Sequence, residues 1–413
     1  MLPRMLRVRQ SFARPRVADI PAAVARTLEA ARLPVKRGDT VAVGAGSRGI
    51  ANIDAVVGAT VRWLREQGAR PFVFPAMGSH GGGTPEGQLS VLEHYGITEA
   101  TMGCPIRATM DVVQVGEALG LPVWLDRYAA EADWIGLVNR VKLHTDFKGE
   151  IESGLFKMMT IGLGKHRGAI QYHRANIHHG YETVITSVGR EMLARVRIGF
   201  GLAVVENGYD ETAHVEAFAP GDLEAGERRL LKQAREWMAR LPFSPIDVLV
   251  VEEMGKNISG SGMDTNVIGR PSNPHEPFPA DPKILWIVVL DLTDESYGNA
   301  TGIGNADFTT RRLVERIDMK PTLINCITAC APNGAKIPAT YETDREAVEA
   351  ALSCIGLMPP DRARVVRIRN TLMLGELEVS EAFAPELARR PDVTVLGDPV
   401  PLSFDAAGRL SAR

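Results

Sequence analysis

The chain reads as an α/β protein of two domains, with mostly parallel sheets flanked by helices and an active site in the interdomain cleft. Three observations predict this. Apolar strand-like runs alternate with helix-like runs from the start, which favours parallel strands joined by crossover helices. A length of 413 residues suits two domains. Glycine-rich segments carrying arginine or histidine follow the strand-like runs, and open α/β sheets bind ligands beyond the carboxyl ends of their strands.

The elements follow in order. The basic start (Arg4, Arg7, Arg9, Arg14, Arg16) has no apolar core. It reads as a solvated, partly frayed segment and not as a secretory signal. Thr40-Val41-Ala42-Val43 is a short apolar strand. A helix over 53–67 follows, with apolar positions at Val56, Val57, Ala59, Val61 and Leu64. Pro71-Phe72-Val73-Phe74 is the next strand and ends at Gly78-Ser79-His80-Gly81-Gly82-Gly83. Thr84-Pro85 opens another helix, a polar cap followed by proline at the first helical position. A third strand over 134–139 runs out toward His144.

A charged helix over 224–240 stops at Leu241-Pro242-Phe243-Ser244-Pro245, and strands over 246–251 and 284–290 follow. This break predicts an N-terminal cofactor-binding and catalytic domain over 1–243 and a C-terminal α/β domain over 244–391 that closes the cleft. A tail over 392–413, opening with a strand, is expected to pack back on the N-terminal domain. Pro274-His275-Glu276-Pro277-Phe278-Pro279 reads as a surface loop.

Composition narrows the function classes. Hydrophobic residues make up 45% and charged residues 23%, an ordinary globular balance. A net charge of -3 gives no reason to expect nucleic acid or an anionic membrane as partner. No apolar run reaches the length of a membrane span. The cysteines are Cys104, Cys326, Cys330 and Cys354. Cys326 and Cys330 lack a second pair to complete a zinc site, so buried free thiols in a reducing, cytoplasmic setting are expected.

Several residues carry candidate chemistry. Residues 44–49 match G-x-G-x-x-G after a strand, but the next strand ends without the carboxylate that a dinucleotide ribose needs. A tight turn that lets backbone approach a ligand is favoured, with Gly46 and Ser47 lining it and Arg48 aimed at an anion. His80, flanked by glycines, has few side chains to pack against and suits acid or base work. His144 lies at a strand exit, where Asp146 either orients the ring or is merely exposed. Lys157, in an apolar stretch, is either snorkelling to solvent or held with a depressed pKa that favours covalent chemistry. His173 competes with His166, His178 and His179 for a metal role, and no spacing matches a familiar zinc pattern. Imidazole alone does not choose among nickel, copper, iron and zinc. Arg48, His80 and His144 each follow a strand, which places them on one rim.

Together these residues resemble the nickel-dependent lactate racemase family, whose members carry a nickel-pincer nucleotide. Ser47-Arg48-Gly49 stands where that family has a Thr-Arg-Pro turn, and Gly78-Ser79-His80 matches its Gly-Thr-His segment. His144 and then Gly154-Leu155-Phe156-Lys157 take the places of its later histidine and its Gly-Gly-Arg-Lys segment. Lys157 and His173 lie sixteen residues apart, the family spacing of cofactor lysine and metal histidine.

The resemblance implies that Lys157 anchors the cofactor covalently and that His173 ligates nickel. It further implies that His80 and His144 act as acid and base on opposite faces of the substrate, with Arg48 holding the substrate. The implied reaction is racemisation or epimerisation at the hydroxyl-bearing carbon of a 2-hydroxy acid, by proton-coupled hydride transfer to the tethered nucleotide. Cofactor maturation enzymes are the implied partners. Ala45 replaces a family aspartate, and Ser261, Gly262 and Thr265 replace the Tyr-Gln and lysine of the lactate enzymes. The loop Lys256 to Asn266 is expected to supply different contacts, so the expected substrate is a 2-hydroxy acid other than lactate. The competing readings are an NAD(P)-dependent oxidoreductase using 44–49, and a non-catalytic nickel- or nucleotide-binding protein.

Overall fold

The computed structural model describes residues 2–46, 49–271, 273 and 281–411. The chain divides into two compact units, one of Ala13–His144 with Lys148–Met238, the other of Met1–Phe12, Thr145–Phe147 and Ala239–Arg413.

The first unit is built on a five-stranded sheet in the order Arg70–Pro75, Thr40–Ala45, Trp134–Arg140, Ile198–Glu206, Thr212–Phe218. The first four strands run parallel and the last is antiparallel. Parallel strands covered on both faces read as unbroken apolar runs, and Val41 to Ala45 are all buried. Val41 and Val43 pack into one core cluster with Val56, Val57, Val61 and Leu64 of the helix Ile53–Glu66. The strands Val112–Ala118 and Leu121–Asp126 form a separate antiparallel pair.

The second unit carries a nine-stranded sheet. Ala339–Tyr341, Phe308–Thr310, Ile284–Leu292, Ile246–Met254 and Val365–Ile368 run parallel in that order. Glu376–Ser380, Arg4–Gln10 and Val393–Val395 extend it antiparallel, and Val400–Pro401 also pairs with Arg4–Gln10.

The basic start is thus a strand paired on both sides within the sheet, not a frayed segment. Met5, Leu6, Val8 and Gln10 are buried, while Arg7 and Arg9 stay on the exposed side and bond the Glu376 carboxylate at 2.7 and 2.6 Å. Period-two alternation across a sheet lets one face carry arginines while the other fills a core. The expectation of buried thiols holds for Cys104 and Cys326, but Cys354 is exposed. Among the described residues no helix is long and apolar enough to cross a membrane. The proline-rich segment 274–279 lies outside the described residues.

Candidate active site

His144 and Lys157 meet because the chain between them folds back on itself. Lys142 and Ser153 form an antiparallel bridge, with N–H to O distances of 2.8 and 3.2 Å. Inside this closure the buried Glu152 carboxylate accepts the His144 N–H at 2.6 Å and the Gly149 N–H at 3.3 Å. Lys148 Nζ donates to the His144 carbonyl at 2.9 Å. Arg235 pairs with Glu152 at 3.1 Å. Burial pushes the Glu152 carboxyl up, opposed by Lys148 and by the N–H groups of His144 and Gly149. The result is a direct hydrogen bond between Lys157 Nζ and His144 Nε2. His144 is buried at 6% exposure and Lys157 is half-buried.

Lys157 ends a short helical turn, Leu155–Lys157, that continues as a π turn over Met158–Gly162. Single π turns occur often at functional sites. Two groups fix the start of this segment. Asn139 Nδ2, at the end of the strand Trp134–Arg140, donates to the Gly154 carbonyl at 2.8 Å. Glu227 Oε2, on the helix Leu223–Trp237, accepts the Phe156 N–H at 2.9 Å. Glu227 is fully buried, and its Oε1 has no hydrogen-bond partner among the described residues. Burial pushes its carboxyl up to about 7, against the lowering effect of the Phe156 and Leu155 N–H groups.

The chain then reverses at Lys165, which has a positive φ of 53°. The helix Lys165–His179 returns with His173, and Gly180 breaks it before Tyr181. The Tyr181 ring lies 6.0 Å from the His144 ring and 6.0 Å from the His173 ring. Lys157, His144, Tyr181 and His173 therefore form one chain of contacts within a single unit.

The His80 loop leaves the strand Arg70–Pro75 and carries positive φ at Gly78, Gly81, Gly82 and Gly83. A Cβ at Gly81 would collide with the Gly87 carbonyl carbon, so this loop needs glycine to lie against the next helix. Thr84 caps that helix as expected, accepting the Gly87 N–H at 3.1 Å. Gln88 on the same helix donates to the Gly78 carbonyl at 2.8 Å and to the His80 carbonyl at 3.4 Å. Gly46 donates its N–H to the Val138 carbonyl at 3.1 Å, and a side chain there would collide with Asn139 Oδ1. Asn139 thus lies between Gly46 and the Lys157 segment. Ser47 and Arg48 lie outside the described residues.

Sequence reasoning missed Tyr181, Glu152, Glu227 and Lys165. The deeply buried lysine of this stretch is Lys165, at 0% exposure. Its signal was the run Gly162-Leu163-Gly164-Lys165, a glycine-rich turn ahead of a helix. His178 and His179 are exposed.

The donor set bears on which metal group fits. No group of three or more His, Cys, Asp or Glu placed to hold a metal exists among the described residues. His173 sits at one end of the contact chain and the Lys157 amine at the other, with His144 beside the amine. That combination fits a group that brings most of its own ligands and is tethered through an amine. It does not fit a bare ion held by protein ligands alone.

No family model and no curated protein matches the chain. Solved structures do. The lactate racemase apoprotein from Thermoanaerobacterium thermosaccharolyticum aligns with a TM-score of 0.55 at 12% identity, covering 90% of this chain and 99% of that one. A protein from Thermotoga maritima aligns with a TM-score of 0.52 at 14% identity, covering 86% of this chain and 96% of that one. The fold is thus a lactate racemase-like mixed α/β fold along nearly the whole chain.

Proposed function

We propose that this chain is an isomerase: a racemase or epimerase acting at the hydroxyl-bearing carbon of a 2-hydroxy acid other than lactate. Lys157 would hold a nickel-pincer nucleotide covalently and His173 would ligate its nickel. The observation that carries this reading is the reversal at Lys165. It returns His173, sixteen residues beyond Lys157, to the same tyrosine that packs on the lysine's histidine partner. The lactate racemase-like fold supports the same class of reaction.

When bound, such a group supplies an acceptor for the carbinol hydrogen with its electron pair. The chain supplies the rest. With Lys157 Nζ as the tether, its nitrogen would no longer be a basic amine beside His144 Nε2, and His144 would take the substrate hydroxyl proton. Glu152, by accepting the His144 N–H, fixes the backbone from which that ring projects. His80 serves the opposite enantiomer, whose hydroxyl lies on the other side, and Arg48 holds the substrate carboxylate. The buried Tyr181 packs against both imidazoles.

Coexpression with the maturation enzymes, followed by intact-mass and nickel analysis, tests the reading. One added mass and one nickel per chain are expected. Lys157→Ala should lose both. His80→Ala should keep both and lose about 10²-fold or more of substrate α-hydrogen exchange. A wild-type chain with no added mass and no nickel sinks the proposal.

A further inference from the structure

Three fully buried polar side chains, Lys165, Asp126 and Gln88, form a knot behind the candidate site. Lys165 Nζ donates to the Pro75 carbonyl at 2.7 Å and to Gln88 Oε1 at 2.8 Å. Asp126 Oδ2 lies 3.3 Å from the same amine, close enough for an ion pair but lacking a well-formed hydrogen bond. The amide end of Gln88 grips the Gly78 and His80 carbonyls. Pro75 ends the strand that delivers the His80 loop. Lys165 itself is the left-handed residue at which the Lys157–His173 segment turns back.

We propose that Lys165 is a positioning residue that sets the His80 loop against the Lys157–His173 hairpin, with Gln88 as the arm that reaches His80. The proposal rests on the reading of His80 and Lys157 given above. A left-handed conformation is unfavourable for a lysine and persists only where surroundings over-determine it. Burying an amine among polar partners is costly, so a purely structural turn would be served more simply by glycine. Two of the amine's contacts lead toward the His80 loop: Pro75 ends the strand that runs into it, and Gln88 reaches its carbonyls; the third is the ion pair with Asp126 at the end of the strand Leu121–Asp126. Burial pushes the Lys165 amine down and the Asp126 carboxyl up, each opposed by the other. An unpaired member would therefore be unfavourable, and the knot holds as a unit.

The test uses the full chain with ¹³C-labelled histidine. His80→Ala identifies the His80 resonance. Gln88→Leu cuts only the arm to His80. Lys165→Met/Asp126→Leu removes the charges together, which leaves no buried charge unpaired. In both variants we expect a wild-type circular dichroism spectrum, a moved His80 resonance and Lys157 loaded as in wild type. kcat for α-hydrogen exchange should fall about tenfold or more while KM changes less than about threefold. An unmoved His80 resonance in folded variants, or exchange at the wild-type rate, overturns the proposal. So does loss of fold in Gln88→Leu, because the knot would then belong to the folding core. If the wild-type chain carries no adduct, the reading of Lys157 fails, while the His80 resonance still decides the tether.

Discussion

Glu227 occupies the apolar stripe of the helix Leu223–Trp237, where Leu223, Leu230, Leu231 and Ala234 are buried beside it. Its carboxyl is pushed up from 4.5 to about 7. A carboxyl with a raised native pKa is comfortable while protonated and unfavourable once ionised. Its contribution to stability is therefore fully present below about pH 4.5 and is lost as the pH rises through about 7. The shift corresponds to on the order of 3 kcal/mol. Glu227→Gln should therefore gain on wild type by up to that amount between about pH 5 and 8, read from urea midpoints across pH. A midpoint difference that stays flat with pH would contradict the assignment. Sequence alone could not show this residue, because one glutamate in a helix rich in glutamate and arginine looks like part of a solvated face. His144 and Lys157 were visible as candidates, yet their contact depends on the Lys142–Ser153 bridge, which no periodicity announces.

At the level of elements, two local features position the site and can be tested singly. Gly154 lies where a side chain would collide with Glu227 Oε1. Gly154→Ala should cost about 1–3 kcal/mol by overpacking and should displace the turn that carries Lys157. A urea midpoint equal to wild type would show that the turn yields freely. The second feature is the cap on the helix Pro85–His94, which carries Gln88. Thr84→Ala removes the acceptor of the Gly87 N–H and should cost about 1 kcal/mol. Thr84→Ser keeps the hydroxyl and should restore stability. This cap was legible from Thr84-Pro85 because capping chemistry is local. The reversal at Lys165 was not, since a lysine with positive φ is dictated by distant partners: Pro75, Gln88 and Asp126.

Across the whole molecule, the alternation of apolar strands and helices announced an α/β fold, and the strands near 40, 70, 134, 246 and 284 lie where it places them. Buried parallel strands are read easily because both faces are covered. The first strand escaped notice because its exposed positions are three arginines, Arg4, Arg7 and Arg9, with the buried residues set between them. Its partners lie more than 360 residues away, so nothing local marks it as a strand. The candidate site was legible to the extent that its residues follow strands. Tyr181 and Glu152 were hidden because they matter through contacts that only the folded chain creates.

The proposed chemistry turns on Lys157 as a covalent anchor and His173 as its metal-ligating partner. Intact-mass spectrometry with nickel analysis, on full-length chain coexpressed with the maturation enzymes, tests it most directly. One adduct and one nickel per wild-type chain are expected, with no adduct on Lys157→Ala and an adduct with sharply reduced nickel on His173→Ala. A wild-type chain of unmodified mass without nickel would contradict it, as would an adduct that survives Lys157→Ala.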